Sequence, residues 1–255
     1  MILVYILTLV LGLCVGSFLN VVIYRVPNGQ SINFPPSHCP KCQAKLRWFD
    51  NIPVVSWLVL GGKCRSCKSP ISPQYIIVEL LNMLLWLVAI MLFWKTSIVL
   101  AICFALACSV LIVISFIDLK HKWIPDRFQI ILLLIGIVVT IFSPLGWHTH
   151  LIGFFVGGGV LLAFYGIGML LFKREPLGIG DIKLMAVCGL ILGWQGALLA
   201  LFLGAIIGAV CCLIQRAVNK NGEVEFAFAP YLALGTVISI FFGQNIIGFY
   251  LSLFL

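Results

Sequence analysis

Apolar runs long enough to cross a lipid bilayer constrain this chain more than any other feature. A membrane helix needs about 20 predominantly apolar residues to span ~30 Å of hydrocarbon. The composition agrees, because 62% of the residues are hydrophobic and only 9% are charged. The sequence therefore predicts an all-α membrane protein, a polytopic bundle of about eight transmembrane helices, with runs at roughly 1–24, 75–94, 97–117, 128–143, 150–172, 183–195, 197–215 and 231–253.

Two details refine this prediction. The runs at 128–143 and 183–195 are short, which predicts either local thinning of the bilayer or helices that extend past the assigned ends. The first run has neither a basic n-region nor a small-x-small cleavage site. We therefore expect a retained first span rather than a cleaved signal peptide.

The distribution of basic residues predicts the orientation. Lys and Arg concentrate in cytoplasmic loops, and fifteen of the 16 lie in or beside the loops after the first, third, fifth and seventh runs. Lys95 alone lies in an opposite loop. Both termini should therefore lie outside. The net charge of +8 then requires no nucleic-acid partner, because anionic lipid headgroups are its ordinary counter-surface.

Two aspartates lie at the edges of apolar runs. Asp118 follows Phe116-Ile117, and Asp181 closes the sequence Gly178-Ile179-Gly180-Asp181. A carboxylate at the rim of a bilayer is costly enough to indicate a function. The predicted orientation places both aspartates at the cytoplasmic rim, since one ends an inward-running span and the other opens an outward-running one. They can therefore meet.

Two neighbouring carboxyls are suited to hydrolysis. One, ionised, takes a proton from water, while the other, protonated, polarises the scissile carbonyl. Like charges a few ångströms apart cannot both ionise, so proximity itself supports this division. The helix macrodipole favours negative charge near a helix N-terminus and disfavours it near a C-terminus. Asp181 is expected near an N-terminus and Asp118 near a C-terminus, so on this hypothesis Asp181 is the base and Asp118 the acid.

Structural explanations stay open for the acidic residues at this point. Asp181 could cap the helix that follows it. Asp118 could pair with Lys122, one helical turn further on. For Asp126, which follows Pro125, a capping role is the favoured interpretation.

A second pattern predicts a metal site in the loop after the first span. Two CxxC pairs lie about twenty residues apart, a spacing typical of tetrathiolate zinc sites. The loop faces the reducing cytosol, where disulfides are rare. The sequence thus predicts structural zinc, with a redox-active pair as the less favoured alternative and His38 as a bystander. The expected ligands are Cys39, Cys42, Cys64 and Cys67.

We accordingly divide the chain into three parts. These are the first transmembrane helix at 1–25, a cytosolic zinc-binding loop domain at 26–74 and a transmembrane core at 75–255. Within the spans, Asn20 and Asn82 are expected to form interhelical hydrogen bonds. The Gly153-x-x-x-Gly157 and Gly204-x-x-x-Gly208 spacings favour close helix packing.

The chain resembles the bacterial type IV prepilin peptidases over nearly its whole length. The resemblance is carried by an ordered series of motifs: Gly16 to Pro27, the paired CxxC motifs, Asp50-Asn51-Ile52-Pro53 with Ser56-Trp57-Leu58, Ile71-Ser72 to Val78-Glu79-Leu80-Leu81, Ile117-Asp118-Leu119, Gly178 to Asp181 with Lys183-Leu184, and Ala229-Pro230-Tyr231-Leu232-Ala233. One departure is mild, since the last motif often reads Gly-Pro-Phe in the family.

The resemblance implies a specific activity. Such enzymes, which are aspartic endopeptidases of the bacterial inner membrane, cut the basic leader from prepilins and pseudopilins after a glycine, at the cytoplasmic face. Many then methylate the new N-terminal residue with S-adenosylmethionine. The resemblance implies that Asp118 and Asp181 are the catalytic pair and that the cysteine-bearing loop marks the form with both activities.

The methyl-donor site is not assigned by the sequence, and neither is the oligomeric state. No GxGxxG motif follows a strand. Glu79, one turn inside the second span, is a candidate, although it could instead snorkel to the interface or pair with a basic loop residue. Two non-enzymatic alternatives are a transporter with paired acids and a zinc-containing adaptor of a secretion system. The transporter is disfavoured because no predicted span has an acid at its centre.

Overall fold

A computed structural model describes residues 2–172, 177–218 and 226–253. Within these ranges the chain is helical and contains no β-strand, which confirms the all-α prediction. One 3₁₀ turn covers Trp48–Asn51, and the helices are α1 (Ile2–Arg25), α2 (Val55–Val59), α3 (Gln74–Phe93), α4 (Ile98–His121), α5 (Asp126–Phe142), α6 (Trp147–Phe172), α7 (Ile179–Val218) and α8 (Ala229–Ser252).

The predicted count of eight membrane-spanning helices is not confirmed. Six of the described helices, α1, α3, α4, α6, α7 and α8, are long and apolar enough to cross a membrane. The run at 128–143 corresponds to α5, which has 17 residues. The runs at 183–195 and 197–215 both fall on α7, a 40-residue helix interrupted at Gly193, where φ is 76° and ψ is 170°. The absence of a Cβ lets glycine adopt this conformation, so two helical segments meet at Gly193, and each corresponds to one of the two predicted runs.

The chain forms two compact units, Met1–Met91 and Leu92–Leu255. The boundary falls near the end of α3, so most of this helix belongs to the same unit as α1 and the cysteine-bearing loop. The division predicted from sequence, at 1–25, 26–74 and 75–255, stays a prediction. Three basic residues used for the orientation, Lys173, Arg174 and Lys220, lie outside the described residues.

In the first unit, α1 and α3 approach each other closely through glycines. A Cβ on Gly12 would lie 2.8 Å from the Met83 Cα atom, and one on Gly16 would lie 2.8 Å from the Glu79 Cα atom. The predicted interhelical hydrogen bonds stabilise this contact. The Asn82 amide donates to the Gly12 carbonyl at 2.7 Å. The Asn20 amide likewise donates to the Tyr75 carbonyl at 3.0 Å.

In the second unit, glycines again permit close packing, here between α6 and α7. A side chain on Gly153 or Gly189 would overlap the backbone of the other helix, and Gly157 contacts the Met185 carbonyl in the same way. Near the break in α7, His150 makes a 2.8 Å hydrogen bond from Nδ1 to the Leu190 carbonyl. This hydrogen bond joins α6 to α7 three residues before the break.

Candidate active site

Asp118 lies in the last turn of α4 and is 6% exposed. Its Oδ2 atom accepts a hydrogen bond from the backbone N–H of Ala229 at 3.2 Å. Ala229 is the first residue of α8, and Pro230 follows it in the first turn. The first N–H groups of a helix have no partner within the helix, so α8 contributes a fixed donor to this carboxyl.

Asp181 is the third residue of α7 and is 8% exposed. Its carboxyl interacts with the backbone N–H of Gly178, the residue just before the helix. This is half of a capping box, in which a side chain in the first turn reaches back to the N-cap N–H. A Cβ on Gly178 would lie only 3.1 Å from Asp181 Oδ2, so a larger residue at this position would crowd the carboxyl.

The structure brings the two predicted aspartates together within the second unit. Asp118 interacts electrostatically with Asp181, although 62 positions separate them in the sequence. The beginnings of α5 and α7 are also joined. Gln129 donates from Nε2 to the Gly180 carbonyl at 3.0 Å, and Lys183 forms a 2.9 Å ion pair with Asp126.

The structural alternatives for the acids have different outcomes. The capping interpretation of Asp181 holds for one hydrogen bond and is compatible with a second role. Among the described residues the ion pairs within 4 Å are Arg65–Asp50 and Lys183–Asp126, so Asp118 forms no such close pair with Lys122, although the two charges interact electrostatically. The capping interpretation of Asp126 was wrong, because it is the first helical residue and pairs with Lys183 instead.

Helix polarity does not distinguish the acid from the base. The sequence places Asp118 at the C-terminus of α4 and Asp181 at the N-terminus of α7, which predicts a difference between the two. Asp118 also faces the N-terminus of α8 through the Ala229 N–H group, which favours negative charge there as well. Helix polarity alone therefore does not assign the two roles.

Two groups that bond to the aspartate region, the Ala229 N–H and the Gln129 amide, were not predicted from the sequence. The Ala229 donor belongs to the backbone and lies 111 positions from its acceptor, so only the Ala-Pro-Tyr motif marked its region. Gln129 is a buried amide near the start of α5, two residues after Arg127. This polar residue was a signal, since amides inside spans form hydrogen bonds.

The four predicted cysteines form a cluster in the first unit. Their sulfur atoms all lie within 4.8 Å of one another, and those of Cys39 and Cys67 are 3.8 Å apart. A tetrahedral zinc with Zn–S bonds of about 2.3 Å separates its sulfur ligands by about 3.8 Å. The donor set and its spacing therefore fit zinc.

The two halves of the cluster repeat the same backbone geometry. Cys39 accepts from the Gln43 N–H at 2.9 Å, and Cys64 accepts from the Lys68 N–H at 3.0 Å, both through the carbonyl. Gln43 and Lys68 both have a φ of 58°. A hydrogen bond from the Cys42 backbone N–H lowers the pKa of the Cys39 thiol to about 6, whereas burial and the neighbouring thiols raise the pKa of Cys42 to about 11. His38 bonds the Pro36 carbonyl and is not part of the cluster.

Glu79 lies on α3 in the first unit. Its Oε2 accepts a 2.7 Å hydrogen bond from the Val54 backbone N–H. It is buried and forms no ion pair within the described residues. Neither the snorkelling nor the pairing expectation is met.

Two family models match the chain in succession. Residues 10–93 match the bacterial peptidase A24 N-terminal domain, and residues 105–213 match the type IV leader peptidase family. The first match contains the cysteine cluster and Glu79, and the second contains both aspartates.

Similar proteins occur in several bacteria. A type 4 prepilin-like proteins leader peptide-processing enzyme of Escherichia coli O78:H11 is 38% identical over 253 residues, which cover 90% of this chain and 91% of the relative. A prepilin leader peptidase/N-methyltransferase of Stutzerimonas stutzeri is 34% identical over 96% of this chain and 92% of its own. One of Myxococcus xanthus is 42% identical over 81% of this chain and 61% of its own. No solved structure matches the chain.

Proposed function

The chain belongs to the type IV leader peptidase family, and from this premise we propose that it is a membrane-embedded prepilin leader peptidase and N-methyltransferase. It cleaves the basic leader of prepilins or pseudopilins after a glycine and methylates the new N-terminal residue. The names of the relatives support both activities. The membrane helices agree with such substrates, since a prepilin carries an apolar helix behind its leader.

We assign the hydrolysis to Asp118 and Asp181. One carboxylate takes a proton from the attacking water, and the other carboxyl, protonated, donates a hydrogen bond to the scissile carbonyl. The observation that carries this proposal is the electrostatic interaction between two buried aspartates from separate helices of the second unit. The backbone donors of Ala229 and Gly178 hold the carboxyls in place.

Replacing the aspartates one at a time tests this assignment. Asp118→Asn and Asp181→Asn should each lower the rate of prepilin cleavage by roughly 10²- to 10⁴-fold or more, since general acid–base catalysis contributes that range. Asn has nearly the same shape as Asp and should preserve folding. Cleavage would be followed by the shift of the substrate on a gel.

Asp126→Asn is the matched control. Asp126 is a carboxylate near the beginning of α7, but it is exposed and paired with Lys183. We expect near-normal cleavage, because exposed ion pairs contribute little. Undiminished processing by both the Asp118 and the Asp181 variants would reject the dyad.

We further propose that Cys39, Cys42, Cys64 and Cys67 hold a structural zinc ion. Four thiolates at tetrahedral spacing support this assignment. Changing Cys39 and Cys42 to Ser should remove the metal and lower the melting temperature of the loop, with Cys14→Ser as the control because Cys14 is exposed on α1. Elemental analysis that finds no zinc in the intact protein would contradict the site.

The methyl group would come from S-adenosylmethionine, a donor implied by the N-methyltransferase names of the relatives. We place the protein in the bacterial inner membrane, with the aspartates facing the cytoplasm and both termini outside. The excess of basic residues in the loops on one side supports this orientation. Lipids and prepilin-like proteins are the expected partners.

A further inference from the structure

Glu79 is the carboxylate of the first unit that lacks a cationic partner. Residues 2–91 are all described and contain two acidic residues, Asp50 and Glu79. Asp50 pairs with Arg65 at 2.8 Å, and this bond lowers the pKa of the Asp50 carboxyl. Glu79 is 6% exposed and forms no ion pair in this part of the chain. A buried carboxylate without a counter-charge is costly and marks a functional site.

A second unsatisfied group lies beside it. Asn20, 2% exposed, donates from Nδ2 to the carbonyls of Gly16 and Tyr75 at 3.3 and 3.0 Å. Its Oδ1 atom is buried and has no hydrogen-bond partner among the described residues. Native proteins leave few such acceptors unpaired, because each costs about 1–3 kcal/mol.

The two groups belong to one small cluster on α1 and α3. The Ser17 hydroxyl interacts with the Glu79 carboxyl, and Ser17 lies one helical turn before Asn20. Tyr75, which accepts from Asn20, lies one turn before Glu79. The close approach at Gly16 brings the backbones of both helices together at this level. The cluster thus presents three oxygen acceptors, from Glu79, Asn20 and Ser17.

The loop segment that covers Glu79 is strained. Val54 has a φ of 60° and a ψ of −51°, and the Val55 N–H donates to the Pro53 carbonyl at 2.6 Å. This is a γ-turn of positive φ, a rare conformation that is especially unfavourable for a β-branched residue. The turn directs the Val54 N–H at Glu79 Oε2. Such strain tends to occur at functional sites, and movement of the turn would free this oxygen.

We propose that Glu79, Asn20 and Ser17 form a binding site for a primary α-ammonium group. An ammonium group has three N–H donors and one positive charge, which match three acceptors that include one uncompensated carboxylate. This inference rests on the proposed function, which supplies two ligands of this chemistry. They are the new N-terminus of the cleaved substrate, which is the methyl acceptor, and the amino-acid end of the methyl donor.

Peptide binding tests the site directly. The probes are a synthetic peptide of the mature substrate N-terminus with a free amine and the same peptide acetylated, titrated calorimetrically into the full-length protein in detergent at pH 7. If the substrate amine is the ligand, the wild type should bind the free amine ~10- to 100-fold more tightly, the range for hydrogen bonds to a charged group. Glu79→Gln should reduce this ratio to near one, since Gln can still accept from Val54 but carries no charge.

The second arm measures the methyl-donor side. S-Adenosylhomocysteine and its deaminated analogue replace the peptides, with the same variants. A preference for the amine that depends on Glu79, in either the peptide or the S-adenosylhomocysteine titration, supports the site. The titration that shows this preference identifies whether the ammonium group comes from the substrate or from the methyl donor. Equal binding of all amine and amine-free pairs by the wild type overturns the proposal, and so does a preference that Glu79→Gln leaves intact. Asp50→Asn is the matched control and should leave every ratio unchanged.

These results separate the inference from the proposed function. The binding ratios in the wild type require neither a folded variant nor catalysis. Prepilin cleavage by the same preparation depends on Asp118 and Asp181, which lie in the other unit. Normal cleavage without amine preference rejects the ammonium site alone, whereas absence of both cleavage and methylation rejects the proposed function.

Discussion

At the scale of single residues, backbone N–H groups complete both buried acidic sites. Ala229 donates to Asp118 and Val54 donates to Glu79. Neither donor depends on the identity of its side chain, so residue chemistry alone did not reveal them. Each requires a particular local backbone, a helix start at Ala229 and a positive-φ turn at Val54.

The strain at Val54 leads to a prediction about stability. Glycine adopts positive φ without a steric cost, so Val54→Gly should recover part of the ~1–3 kcal/mol stored in such a conformation. Val55→Gly is the matched control, because Val55 is an exposed residue in the first turn of α2 and glycine costs up to about 1 kcal/mol in a helix. Thermal unfolding in detergent should rank Val54→Gly above Val55→Gly. The reverse order would contradict the strain.

At the scale of elements, close contacts and breaks in the helices determine where the site residues lie. α7 carries Asp181 in its first turn, packs against α6 through glycines and is interrupted at Gly193. Hydropathy predicted two runs there, at 183–195 and 197–215, and the break between the two helical segments lies near the predicted boundary. The glycine spacing in α6 did predict a close contact, but the partner surface on α7 was not identified.

The α6–α7 contact can be tested with two glycines of the same helix. A Cβ at Gly153 would overlap the backbone of α7, whereas at Gly159 nothing lies within 4 Å. Gly153→Ala should therefore destabilise the protein by about 1–3 kcal/mol, the usual cost of overpacking, and should lower cleavage by displacing α7. Gly159→Ala should be neutral or stabilising by up to about 1 kcal/mol. Equal melting temperatures for the two variants would argue against the contact.

At the scale of the whole molecule, the predicted sites fall into different compact units. The cysteine cluster and Glu79 lie in Met1–Met91, and both aspartates lie in Leu92–Leu255. This division agrees with the two family models that match in succession. It suggests that the two activities of the enzyme can be impaired separately.

The orientation is a prediction for the entire chain. Alkaline phosphatase fused to the C-terminus should be active and green fluorescent protein should be dark, because the basic loops hold that end outside. Insertion of the same reporters at Gly29, an exposed position with open space around it, should give the opposite result. A fluorescent C-terminal fusion would reverse the assigned topology.

The sequence by itself determined the environment, the helical class, the four cysteines and the two aspartates. These follow from apolar length, ligand spacing and the cost of a charge at the membrane rim, which are local properties of the chain. Tertiary structure alone decided the conformation of the break at Gly193, that α8 supplies a donor to Asp118, and that Asn20 and Glu79 share a cluster. Those outcomes depend on contacts between residues tens of positions apart, whose geometry no local pattern encodes.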